Sequence, residues 1–288
     1  MKDALQQRAQ EAEDAGDLPL ALELWKELAE KHSETLFFLC YGKVAEKLAK
    51  WEEAENAFTQ ALRLQPNSSI AQLVGSPLVN ASMGTLWSNR TDKDRTESLK
   101  TAKEWFQNAV KMQRGAPWLT LLGAACARLG DGAAAKEAFE EAVKLNPNYH
   151  EAIYNLAVIE EESDTQKSRE LLERAIQIDP NYAKAHHMLG RVYERLKDVD
   201  RAEFHYRRCL EIDPAEYWSN LYLAGLLAAR KRHAEAEQIY RHATELRPEM
   251  AGGFEFYARF LEKMGRLAEA AEVRGKIKPS ERATIALL

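Results

Sequence analysis

Residues 183–214 read AKAHHMLGRVYERLKDVDRAEFHYRRCLEIDP. Within them His186-x2-Leu189-Gly190-x2-Tyr193 is followed by Ala202-x3-Tyr206 and by Pro214. Two helices satisfy this spacing, because residues three and four apart share one helical face. The small residues Gly190 and Ala202 let the two helices approach, and the large ones fill the space between them. Leu196-Lys197-Asp198 is the turn, with Asp198 suited to cap the second helix, and Pro214 ends the unit because it lacks an N–H and fixes φ.

Working outward, the small residue of the second helix recurs at Ala21, Ala54, Ala102, Ala135, Ser168, Ala202, Ala236 and Ala270, in steps of 33, 48, 33, 33, 34, 34 and 34. Four residues after each stands a large side chain, Trp25, Phe58, Phe106, Phe139, Leu172, Tyr206 or Tyr240, and at the last position Arg274. Pro66, Pro147, Pro180, Pro214 and Pro248 close five of the units. Fuller copies are Phe38-x2-Tyr41-Gly42, Leu119-x2-Leu122-Gly123 and Asn220-x2-Leu223-Ala224, and Leu129-Gly130-Asp131 and Met264-Gly265-Arg266 supply further turns. Such a fixed period is the signature of a stacked repeat architecture.

The pattern resembles the tetratricopeptide repeat over nearly the whole chain. The resemblance implies an all-α fold, a right-handed α-solenoid of about eight helix-turn-helix repeats in one domain spanning 1–288. The units fall at 2–34, 35–68, 69–115, 116–149, 150–182, 183–216, 217–250 and 251–278, with a capping segment at 279–288. Three units depart from the pattern. The fifth has lost a turn residue between Glu161 and Ser168; the eighth lacks the aromatic and the closing proline; the third carries the 48-residue step. Its surplus lies between Asn67 and Leu99, where Gly75-Ser76-Pro77 and the charged Thr91-Asp92-Lys93-Asp94-Arg95 predict a lengthened first helix plus a long loop.

Composition agrees with an all-helical chain: 14 glycines and 9 prolines in 288 residues leave few helix breakers. With 45 acidic against 40 basic residues the net charge is −5, which disfavours nucleic acid as a partner. Cys40, Cys126 and Cys209 are scattered and include no CxxC pair, so they suggest neither a disulfide framework nor a zinc site. The first sixteen residues have no signal-peptide character, and no apolar run reaches the roughly 20 residues needed to cross a bilayer. The expectation is a cytoplasmic protein in a reducing compartment, without membrane contact.

The motifs of catalysis are missing, with no Gly-rich phosphate loop, HExxH or G-x-S-x-G, so the expected enzyme activity, cofactors and metals are none. His186 and His187 are adjacent and point to different faces, which rules them out as a helical metal pair. Glu160-Glu161-Glu162 is expected to pair with Arg191 and Arg195 of the next unit, and Arg230-Lys231-Arg232-His233 to be a solvated turn.

In tetratricopeptide-repeat proteins the first helices line a concave groove, and the resemblance implies partner-binding positions at Tyr154, Asn155, Lys184, His187, Met188, Arg191, Trp218, Leu221, Tyr222, Phe256 and Arg259. Exposed aromatics and Met among Arg, Lys and His form the kind of surface on which binding energy concentrates. Chaperone-binding members hold a terminal carboxylate with a set of Lys, Asn and Arg side chains. Asn155 and Lys184 match it, but Met188, Thr120 and Ala124 do not, so that specificity is not expected. The function implied is a scaffold or adaptor that binds a peptide segment or helix of another protein; the alternatives are a permanent structural subunit or a regulator of a separately encoded enzyme.

Overall fold

In the computed structural model, residues 2–64 and 69–277 are described. They form sixteen helices and no strand, in consecutive antiparallel pairs. The expected capping segment 279–288 and the closing Pro66 lie outside the described residues. The chain divides into two compact units, residues 1–155 and 156–288.

The first unit contains α1 (Lys2–Asp14), α2 (Leu18–His32), α3 (Thr35–Lys47), α4 (Trp51–Arg63), α5 (Ser69–Asn89), α6 (Arg95–Met112), α7 (Ala116–Arg128) and α8 (Gly132–Leu145). The division falls within α9 (His150–Glu160). The second unit continues with α10 (Thr165–Ile178), α11 (Ala183–Arg195), α12 (Val199–Ile212), α13 (Tyr217–Ala229), α14 (His233–Leu246), α15 (Ala251–Lys263) and α16 (Leu267–Gly275).

In four of the pairs a ring of the second helix is laid against a glycine of the first. A Cβ added at Gly84 or Gly123 would lie 2.5 or 2.6 Å from a ring carbon of Phe106 or Phe139, and Gly42 and Gly190 face the rings of Phe58 and Tyr206 just as closely. All four rings are at most 2% exposed. Elsewhere alanine supplies the small side: Ala9, Ala157, Ala224 and Ala258 are fully buried, as are Leu172 and, nearly, Trp25 and Tyr240. In the eighth pair Arg274 stands at the ring position, and its guanidinium reaches Glu255 at 2.8 Å and Glu262 at 2.7 Å on α15, so an ionic clamp replaces the ring.

The turns follow the expected chemistry. Gly16, Gly130 and Gly265 adopt left-handed φ of 78°, 82° and 77°, and Asp17, Asp131, Asp164 and Asp198 accept the backbone N–H three residues on. Lys197 and Lys231 take the same left-handed turn position at φ 61° without being glycine.

The third pair corrects the sequence reading. The surplus residues build helix, not a long loop: α5 has 21 residues and α6 has 18, against 13 in α3 or α7, and Arg90–Asp94 is all that joins them. Pro77 sits inside α5. Val79, Met83 and Leu86 are buried at i, i+4 and i+7, and this apolar face holds the helix together past the proline.

Charge is used between repeats. Arg191 reaches Glu161 at 3.2 Å, and Arg195 donates to the Glu161 carbonyl at 3.1 Å, as the sequence suggested; Glu160 is taken by Lys167 at 2.7 Å. The basic run at 230–233 is not simply solvated. Arg230 and Arg232 reach Glu203 at 2.5 and 2.6 Å, Arg207 joins at 2.9 Å, and although burial opposes it this trio holds the Glu203 carboxyl below the usual range.

Gly190→Ala should destabilise the chain by about 1–3 kcal/mol, because the fully buried Tyr206 ring has nowhere to move. By contrast, a Cβ at Gly225 would meet only the Tyr240 hydroxyl oxygen, at an ordinary 3.5 Å. Gly225→Ala should therefore stabilise by up to about 1 kcal/mol through helix propensity, and urea unfolding of the two variants checks the contrast.

Candidate functional site

The first helices of the second unit carry most of the residues singled out above. On α13, Trp218, Tyr222 and Gly225 lie at i, i+4 and i+7 and form one stripe. The Trp218 ring is 40% exposed and its centroid lies 6.3 Å from that of Tyr222. Tyr222 is half-buried. It stacks on Tyr206 of α12 at 5.9 Å and sits 5.8 Å from the His187 ring on α11, so it belongs to an aromatic stack that joins adjacent repeats.

His187 fastens α11 to α13. Its Nδ1 lies 2.8 Å from Ser219 Oγ and 3.5 Å from the Glu216 carboxylate, and Ser219 Oγ also donates to Cys209 Sγ at 3.3 Å. Burial lowers the His187 pKa, with Glu216 opposing and Arg191 assisting. Tyr206 donates to Glu194 at 2.5 Å, and burial together with that carboxylate pushes its phenol far above the ordinary range.

Past Gly225 the stripe opens into a cleft of about 610 Å³ lined by Gly225, Lys231, Tyr240, Phe256, Arg259 and Phe260, among others. Phe256 is 40% exposed, and Arg259 is exposed with its Nε donating to Glu255 at 2.9 Å. Lys184 is exposed and Arg191 half-buried. Tyr154 and Asn155 belong to the first unit, where both are half-buried and Asn155 Nδ2 donates to the Glu151 carbonyl at 2.7 Å.

Two expected groove residues are corrected. Met188 and Leu221 are only 4% and 3% exposed. A first helix within the stack packs against its own second helix and against the preceding one, as α11 does with α12 and α10, so its flanks are buried as well as its inner face. Sequence spacing alone does not separate those flanks from the open face.

Tetratricopeptide-repeat models match residues 120–183 and 160–222. Residues 120–222 carry tetratricopeptide repeats. A stretch of 79 residues is 37% identical to protein O-mannosyl-transferase Tmtc2 of Drosophila melanogaster, covering 27% of this chain and 8% of that protein. Among solved structures, the APC/C hetero-tetramer Cut9-Hcn1 matches at a TM-score of 0.69 with 16% identity, over 84% of this chain and 48% of that one. A double mutant of MamA RS-1 matches at 0.51 with 18% identity, over 59% and 96%. These structural likenesses concern the fold. Among the described residues no helix is long and apolar enough to cross a membrane, and no group of three or more His, Cys, Asp or Glu is placed to hold a metal ion.

One feature of the sixth tetratricopeptide repeat escaped the sequence reading. His186 of α11 and His205 of α12 are buried with their Nδ1 atoms 3.0 Å apart, and Tyr193 stacks on His205 at 5.4 Å. His186 Nε2 lies 3.2 Å from the Pro180 carbonyl, which only accepts, so Nε2 carries the proton and Nδ1 accepts from His205 Nδ1–H. Burial favours the neutral form of both rings. Burial, with His186 and Arg201 assisting against Glu173, pushes His205 down to about 4, and burial likewise lowers His186. No spacing rule links residues 186 and 205; the contact exists because the turn brings two helix faces together.

The pH dependence follows. In the unfolded chain His205 titrates near 6.5, so between 6.5 and about 4 the unfolded state holds more protons and stability falls as pH falls. Urea midpoints measured at about pH 7.5 and about pH 4.5 should show this loss, and His205→Leu should shrink it by about 2 kcal/mol.

Proposed function

We propose that the chain is a protein-interaction scaffold in which the first-helix face of α11, α13 and α15 holds an extended segment or a helix of another protein. The supporting observation is the pair of exposed aromatics, Trp218 and Phe256, each 40% exposed on a first helix, with the cleft beside Gly225 opening next to Phe256. Exposed rings on a first helix, one of them beside an open cleft, are places where a partner can bury apolar area, and Trp and Tyr are the side chains on which interface energy concentrates. Lys184, His187, Arg191, Tyr222 and Arg259 complete the face, the charged members steering and orienting a partner. Tyr154 and Asn155, on the first unit, are candidate partner contacts of that unit. Tetratricopeptide-repeat architecture supports the reading, since helix pairs of this kind expose a row of first helices that no repeat needs for its own core.

Trp218→Ala and Phe256→Ala should each weaken binding of a partner purified on the wild-type chain by about 2 kcal/mol, and each should change unfolding stability little. Tyr222→Ala should lower both affinity and stability, because its ring is stacked on Tyr206. Affinity unchanged in both the Trp218 and the Phe256 variants would refute the assignment.

A further inference from the structure

The lengthened third pair builds a cleft with its own chemistry. In the first, fourth, fifth and sixth pairs the second helix starts at an aspartate four residues before the small residue, at Asp17, Asp131, Asp164 and Asp198. In the third pair that position is Ser98, and α6 begins a turn earlier, capped by Asp94, whose carboxylate accepts the Glu97 N–H at 2.9 Å. Ser98 is thereby carried inside the helix. It is 2% exposed, and its Oγ has no hydrogen-bond partner. Helical hydroxyls nearby bond back to the carbonyl four residues earlier, Thr101 to Glu97 at 3.1 Å and Thr120 to Ala116 at 2.8 Å; Ser98 does not. A buried donor left unsatisfied costs about 1–3 kcal/mol.

Ser98 lines a cleft of about 380 Å³ together with Ser88, Arg90, Lys93, Arg95 and Arg128, and no carboxylate lines it. Arg90 is already neutralised by Glu55 at 2.6 Å and Asp92 at 2.8 Å, and Asp92 also lies in the field of Lys93. Among the described residues Arg95 and Arg128 have no carboxylate partner. Arg128 donates to the Ser88 carbonyl at 2.8 Å, and burial together with the like charge of Arg95 lowers its pKa. Arg95 and Arg128 are exposed and line the same cleft, and their like charges, screened in part by water, oppose each other until an anion joins them.

We propose that this cleft is a binding site for a phosphoryl group, with Arg95 and Arg128 neutralising its charge and the Ser98 hydroxyl donating to one of its oxygens. A doubly charged tetrahedral oxyanion matches two guanidiniums and a third donor better than a single carboxylate does. The group comes either from free phosphate or from a phosphorylated side chain of a partner.

Isothermal titration of the full chain with inorganic phosphate, with an acetylated and amidated Gly-phosphoserine-Gly tripeptide and with its unphosphorylated form tests this. Both phosphoryl probes should bind and the unphosphorylated peptide should not. Arg95→Gln and Arg128→Gln should each weaken binding about tenfold, the worth of a charge-assisted contact. Ser98→Ala should weaken binding about threefold while leaving thermal stability unchanged or raised, since it removes an unsatisfied buried group. Arg8→Gln, an exposed control far along the chain, should have no effect. Tighter binding of the phosphotripeptide than of phosphate would name a phosphorylated protein as the source, and equal binding the free anion. Absence of binding by either phosphoryl probe, or equal losses in Arg95→Gln, Arg128→Gln and Arg8→Gln, would overturn the proposal.

Discussion

The contact on which everything else depends is the approach of a ring to a residue without a side chain. At Gly42, Gly84, Gly123 and Gly190 the edge of a Phe or Tyr from the second helix occupies the volume a Cβ would need. A helix pair this close has no room for water and little for rearrangement, so each pair behaves as a rigid wedge. Once the second helix is committed to filling that gap, the opposite side of the first helix is left over. The apolar and aromatic residues found there are surplus to the pair's own core, and this surplus makes a binding face possible.

The second unit shows how the surplus is divided. Met188 and Leu221 go into packing between neighbouring helices, and Tyr222 is shared, one side stacked on Tyr206 and the other toward solvent. Trp218 and Phe256 remain outside. Several polar groups in the same region are partnered across helices: the neutral His186–His205 pair, the contacts of His187 to Ser219 and Glu216, and the three arginines around Glu203. Such networks fix the register of successive helices without adding apolar surface, at the cost of sensitivity to acid.

The helix pairs were legible in the sequence because their defining contact has a fixed spacing. Tyr206 lies sixteen residues after Gly190 and Phe139 sixteen after Gly123, so the pattern survives as arithmetic. Where an insertion changes the spacing, the arithmetic fails: Gly84 is twenty-two residues before Phe106, and its role emerged only from the packing. The same insertion reads in sequence as a lengthened first helix plus a long loop; the helix is there and the long loop is not, because Gly75-Ser76-Pro77 is a local signal for a break while the buried face from Val79 to Leu86 acts over a longer range. The candidate face was legible in part. Periodicity places Trp218, Tyr222 and Gly225 on one stripe, but it does not reveal which flank a neighbouring repeat covers, and so Met188 and Leu221 were mistaken for open positions. The buried histidine pair left no trace at all, since it depends on a turn that juxtaposes two residues nineteen apart.

Phe204, 60% exposed on α12, provides an internal comparison for Trp218 and Phe256, because it presents a large ring on a second helix. Photocross-linking in native extract, with a benzoylphenylalanine placed in turn at positions 218, 256 and 204, distinguishes the two kinds of face most directly. A discrete adduct of one partner from positions 218 and 256, and none from 204, is the result expected if the first helices form the binding face. An adduct from 204 with none from 218 or 256 would contradict it.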